Sequence, residues 1–119
     1  MLQHVSIEIP PEEAERSLEF WRLVGFEQVP APEALGDAFL WVERGGTQIH
    51  LILTEGATVP ALGDPAVVVD NFDATMAAVA EAGFEVAETR ELWGARRAAT
   101  TAPGGHRVEL MDSPPPAAV

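Results

Sequence analysis

The sequence predicts an α+β domain made of two tandem βαβββ modules whose strands form a curved mixed sheet around a central cavity. Three observations carry that prediction. The stretch GGTQIHLIL at 45–53 returns as GGHRVELM at 104–111, matching Gly45-Gly46 with Gly104-Gly105, Ile49 with Val108, Leu51 with Leu110, and His50 with Glu109. Gly-Phe-Glu occurs twice, at 25–27 and 83–85. Each copy closes a segment that opens with β-branched residues and continues at helical spacing, VSIEIP into PEEAERSLEFWRLV and AVVVDN into FDATMAAVAEA. Self-similarity of this kind marks a repeated supersecondary unit.

In the first module, about 1–53, Val5, Ile7 and Ile9 suit one buried face of a strand. The helix that follows has Pro11 near its start and Glu12 and Glu13 in its first turn. Ala14, Leu18 and Trp21 lie on one face, and Gly25 is the stop. Trp21 and Phe20 are expected in the core. Three strands are predicted next, at about 26–30, 38–43 and 47–53. TEGATVPALGDP carries glycine and proline without periodicity and supplies a linker at about 54–63. The second module, about 64–112, repeats the plan. Val67, Val68 and Val69 form a strand, and Asn71 caps a helix carrying Phe72, Met76 and Val79 on one face. Gly83 is its stop, and strands follow at about 84–89, 96–101 and 106–111. The two modules make one domain over 1–112, and the proline-rich tail at 113–119 is expected to be a disordered extension.

Composition removes several chemistries. The chain has no cysteine, lysine or tyrosine, so thiol, Schiff-base and phenol chemistry are excluded and His, Glu, Asp, Ser, Thr and Arg remain. No glycine loop of the phosphate-cradling kind is present, and Ser6 lies mid-strand rather than on an exposed elbow. A net charge of −12 repels nucleic acid and anionic membrane surfaces. No apolar run approaches the roughly 20 residues of a membrane span, and the N-terminus lacks the regions of a signal peptide, so a cytoplasmic protein is expected. Four of the seven arginines, Arg90, Arg96, Arg97 and Arg107, fall in the last third, which leaves room for a local positive pocket.

Strand alternation then sorts the polar residues. His4, Ser6 and Glu8 oppose the apolar face of the first strand. Gln48, His50 and Ile52 share a face, as do Arg107, Glu109 and Met111, while Trp41 lies on the side of Phe39 and Glu43. Aligning the module starts sets Asp64 against His4, so His4 with Asp64 and His50 with Glu109 occupy two pairs of repeat-equivalent positions. Imidazole and carboxylate together suit a divalent ion such as Zn, Ni, Co, Mn or Fe(II). The competing expectation is hydrogen-bonded core histidines, with Glu109 paired to an arginine. His106, beside a turn, is expected to be exposed.

The pattern resembles the vicinal oxygen chelate superfamily, which includes glyoxalase I, bleomycin-resistance proteins, fosfomycin-resistance enzymes and extradiol dioxygenases. The resemblance rests on LQHVSIEIP, LEFWRLVGF, GGTQIHLIL, AVVVDNFDATMAAVAEAGF and WGARRAATTAPGGHRVEL. It implies a small oxygen-chelating substrate handled by a metal-dependent lyase, isomerase or dioxygenase. The implied metal ligands are His4, His50, Asp64 and Glu109, with Glu109 also the catalytic base and Asp64 either a fourth ligand or an acceptor orienting a histidine. Gln48, Arg107, Trp41 and Trp93 are the substrate-binding candidates, although both tryptophans also suit packing. The chain departs from glyoxalase I, where Glu or Gln usually stands at the place of His50 and His at that of Asp64. Bleomycin-resistance proteins supply the alternative, capture of a cationic aromatic ligand without catalysis. The acidic balance and the indoles fit that alternative. The resemblance further implies a homodimer.

Overall fold

The structure is a computed structural model that describes residues 1–118; Val119, the last residue of the expected tail, lies outside them. The first module contains β1 (His4–Ile9), a 3-10 turn (Pro11–Glu13), α1 (Ala14–Leu23), β2 (Glu27–Val29), β3 (Phe39–Arg44) and β4 (Thr47–Leu53). The second contains β5 (Ala66–Val68), α2 (Phe72–Glu81), β6 (Val86–Thr89), β7 (Arg97–Thr101) and β8 (Arg107–Met111). Each module is therefore βαβββ. No helix among the described residues is long and apolar enough to cross a membrane.

The strands form two four-stranded mixed sheets, ordered β1-β4-β3-β2 and β5-β8-β7-β6. In each sheet the first strand runs parallel to the last, and the other pairs are antiparallel. The expected curved mixed sheet around a central cavity is built as two four-stranded halves, one from each module, with β1 and β5 unpaired between them. Pro65, which leads into β5, has no N–H to offer a neighbouring strand. A cavity of about 200 Å³ lies at this seam, lined by Val5, Ile7, Pro60, Asp64, Pro65 and His106.

One apolar core joins the modules. Ile9, Val42 and Leu51 from the first sheet meet Val108 and Leu110 from the second, with Phe20, Trp21 and Val79 from the helices among them, all essentially inaccessible to water. Burying each such side chain is worth about 1.5–3 kcal/mol. Across the helices, Phe20 and Phe84 pack edge to face at 5.2 Å between ring centres. Arg16 lays its guanidinium 3.9 Å over Phe84 and donates to the Ala82 carbonyl at the end of α2. Asn71 caps α2, its side chain accepting from the Ala74 amide at 3.1 Å.

The repeated glycine pairs have a conformational cause. Gly45 and Gly46 have φ of 57° and 89°, as a two-residue hairpin between β3 and β4 demands. Gly104 combines φ of +87° with close packing, since a Cβ there would stand 3.2 Å from Ile9 Cγ2. The expectation that His106 is exposed fails: it is 3% exposed, and its Nε2 donates to the Glu8 carbonyl at 2.6 Å. A turn that folds back onto β1 buries a residue that a free turn would leave in water.

Gly104→Ala should destabilise the protein by about 1–3 kcal/mol in chemical denaturation, because it combines left-handed strain with crowding. Gly45→Ala carries a positive φ but meets open space. An equal loss in the two variants would contradict the packing argument.

Candidate functional site

Alternation along β4 sends Ile49 and Leu51 into the core and leaves Gln48, His50 and Ile52 on the outer face. Register then assembles the first cluster. Trp41 of β3 and Ser6 of β1 both stand directly opposite His50, and Glu43 and His4 stand opposite Gln48. The rings form a row across three strands. Trp41 and His50 stack at 4.0 Å between centres and 1° between planes, and His4 stacks on the other side of His50 at 3.9 Å and 15°. His50 is 8% exposed, sealed by its two neighbours, while His4 is exposed on the edge strand. Both histidines are hydrogen-bonded by glutamine, His4 Nδ1 to Gln3 Oε1 and His50 Nε2 to Gln48 Oε1, each at 2.7 Å. Gln48 Nε2 in turn donates to Glu43 at 2.8 Å.

The second sheet carries the carboxylates. Glu109 stands opposite Ala66, as His50 stands opposite Ser6, so the two occupy equivalent places in their sheets. Glu109 accepts from Arg97, and both side chains are mostly buried. Arg97 also donates to the Arg90 carbonyl at 3.0 Å, and its guanidinium lies 5.3 Å from the Trp93 ring centre. Asp64 precedes β5 and accepts from Arg107 at 3.1 Å. Trp93 is tied elsewhere, its Nε1 donating to the Ser113 carbonyl at 3.0 Å. Trp41 stands in β3 and Trp93 in the connection between β6 and β7, so the two form no common platform.

The structure thus brings His4, His50, Gln48 and Trp41 together, pairs Asp64 with Arg107, and groups Glu109 with Arg97 and Trp93. It does not gather the four expected metal ligands. Among the described residues, no group of three His, Asp or Glu side chains is placed to hold an ion. Geometry gives the reason. A ring nitrogen binds an ion with a lone pair in the ring plane, and two stacked rings 3.9 Å apart have no shared in-plane point nearby. Each carboxylate also already has an arginine. As arranged here, the set does not fit a metal.

A cavity of about 470 Å³ lies apart from the histidines on the second sheet, lined by Glu85, Ala87, Ala99, Thr101 and Arg107 among others. This opening carries small side chains, Glu85 and the half-exposed Arg107, and no aromatic ring. Glu43 and Arg97 have roles that residue-type searching missed. The Gly45-Gly46 turn contained the signal for Glu43, since a two-residue hairpin fixes Glu43 opposite Gln48 and Trp41 opposite His50. Arg97 had a weaker signal, as the residue two before Ala99, which lies opposite Glu109.

Burial, and then the neighbouring His4, pushes the His50 pKa below its ordinary 6.5. As pH falls through 6.5 the unfolded chain takes up a proton at this residue that the folded chain refuses, so stability is lost on acidification. In an NMR titration the His50 ring should reach its midpoint below 6.5. His4→Ala should raise that midpoint, and a midpoint above 6.5 in the unaltered protein would refute the burial argument.

Comparison with known proteins agrees with this architecture. The model of the Glyoxalase/Bleomycin resistance protein/Dioxygenase superfamily matches residues 2–110. No curated protein sequence matches the chain. A Bacillus anthracis protein described as of the glyoxalase family superposes with a TM-score of 0.82 at 25% identity, covering 93% of each chain. The oxidase ChaP-H2 superposes with a TM-score of 0.74 at 22% identity, over 96% of this chain and 94% of that one. A bleomycin resistance determinant encoded on the transposon Tn5 gives 0.65 at 16% identity, over 92% and 96%. These last two likenesses establish a shared fold. With nearly its whole length matched by the family model, the chain belongs to the Glyoxalase/Bleomycin resistance protein/Dioxygenase superfamily.

Proposed function

We propose that this chain is a small-molecule-binding member of the superfamily that captures a flat, cationic ligand on the outer face of its first sheet. The observation that carries this reading is the row of Trp41, His50 and His4. The row leaves the outer faces of Trp41 and His4 without an aromatic partner among the described residues, and an indole face stacks on planar ligands and attracts cations. Glu8 and Glu43 lie on the same strand faces as His4 and Trp41. The nearest arginine in this sheet, Arg44, turns away to the Val68 carbonyl and Asp70. The overall charge of −12 raises the local concentration of cations.

A metal-dependent lyase, isomerase or dioxygenase is the second reading, with His4, His50, Asp64 and Glu109 as ligands and Glu109 as the base. Its support is the equivalence of His50 and Glu109 within their sheets. It requires Arg97 and Arg107 to release their carboxylates and the imidazoles to unstack. A homodimer belongs to both readings, because each sheet leaves one face outside the common core.

Titration of proflavine, a planar cation, should quench Trp41 fluorescence with saturation, and Trp41→Leu should weaken binding at least tenfold, the loss of an aromatic contact of about 1.5 kcal/mol. Saturable binding unchanged in Trp41→Leu would refute the site. Calorimetry with Zn, Ni, Mn and Fe(II) should show no tight uptake. Stoichiometric binding abolished by His50→Ala and by Glu109→Ala would install the metal reading instead. Light scattering should give twice the 12.7 kDa chain mass, and a monomer at micromolar concentration would remove the dimer.

A further inference from the structure

The hydrogen bonds behind the aromatic row run in one direction, fixed by the atoms in it that can only accept. Glu43 presents a carboxylate oxygen to Gln48 at 2.8 Å, and a carboxylate oxygen accepts only. The Gln48 side chain must therefore turn its NH₂ towards Glu43 and its carbonyl oxygen towards His50. That oxygen lies 2.7 Å from His50 Nε2, and it too only accepts. A neutral imidazole carries its proton on one nitrogen, so the proton is on Nε2 and Nδ1 is left with a lone pair. His50 Nδ1 makes no hydrogen bond among the described residues, and the residue keeps 8% of its surface exposed. Trp41 and His4 hold the plane of the ring, and the Gln48 oxygen holds its Nε2 edge.

We infer that Glu43, acting through the Gln48 amide, holds His50 as the Nε2–H tautomer and thereby leaves Nδ1 as a hydrogen-bond acceptor for a ligand that carries an N–H or O–H group. Glu43 is a positioning residue in this scheme. The ligand half rests on the capture function proposed above and narrows it to planar cations that donate. The tautomer half stands on the hydrogen-bond chain alone.

The test reverses the polarity of the relay. Glu43→Lys puts a donor where the acceptor was, so the Gln48 amide must turn over, present its NH₂ to His50, and move the ring proton to Nδ1. Glu27 stands directly opposite Glu43 on β2, and Glu27→Lys makes the same charge change outside the relay. Protein labelled with ¹⁵N-histidine, observed by long-range ¹H–¹⁵N correlation at pH 8, should show the proton on Nε2 of His50 in the unaltered chain and in Glu27→Lys, and on Nδ1 in Glu43→Lys. His106 is an internal standard, since the Glu8 carbonyl fixes its proton on Nε2 in all three. If Glu43→Lys does not fold, Glu43→Leu, which leaves the Gln48 amide free to take either orientation, should show both His50 tautomers in place of the Nε2–H form alone. A proton on Nδ1 in the unaltered chain overturns the inference, as does a His50 spectrum that ignores the change at Glu43.

The ligand half is read with two planar cations on the same acridine frame. N10-methylated proflavine carries two amino groups, and N10-methylated acridine orange carries dimethylamino groups in their place, so both are permanent cations and only the first has an N–H. The unaltered chain should bind the diamino cation roughly threefold to tenfold more tightly, the worth of one hydrogen bond, and the ratio should fall to about one in Glu43→Lys. Equal affinity in the unaltered chain overturns the donor requirement while leaving capture of planar cations intact. Failure of both dyes to bind overturns the capture reading, and the tautomer spectra then judge the relay by themselves.

Discussion

The pairing of β3 with β4 is the constraint on which the site depends. The Gly45-Gly46 turn closes with two residues in the left-handed region and fixes Arg44 opposite Thr47. From that one pairing, alternation decides the rest. Ile49 and Leu51 go inward to the shared core, and His50 goes outward beside Trp41. A slip of one residue would put His50 in the core and Ile49 in water. Core packing and ring stacking are therefore two readings of a single register, and neither can be altered without the other.

The arginines explain how an acidic chain holds its second sheet together. Arg97 and Arg107 neutralise Glu109 and Asp64, and Arg96 joins Glu88 of β6 to Asp73 at the start of α2 while lying over Phe72. Arg44 and Arg16 bridge the modules through backbone carbonyls. The positive charge of the chain is spent largely inside its own architecture. The first sheet keeps carboxylates beside its aromatic row, and the second keeps its carboxylates paired, so the two faces differ in what they attract although they descend from one repeat.

The fold was legible because its signals are local and repeated. Paired glycines, the Gly-Phe-Glu closures and the β-branched openings each have a nearby physical cause, and the structure contains both βαβββ modules they imply. The division into two sheets was less legible, since it turns on how β1 and β5 approach one another across the linker. Site residues were legible as positions but not as partners. Alternation identified the faces of His4, His50 and Glu109, yet the pairing of Glu109 with Arg97 and the stacking of His4 on His50 are choices among side-chain rotamers. Trp93 shows the same limit, because its hydrogen bond goes to Ser113 beyond the last strand.

The bond from His106 to the Glu8 carbonyl joins residues 98 apart in the chain. The β3–β4 and β7–β8 hairpins need only short loops, whereas β1 meets β4, and β5 meets β8, only after the chain has run through a helix and two strands. Closing such distant pairs costs entropy before any contact rewards it. Assembly should therefore begin within the hairpins and end at this tie, where every residue up to His106 must already have emerged from the ribosome before β1 acquires its last neighbour.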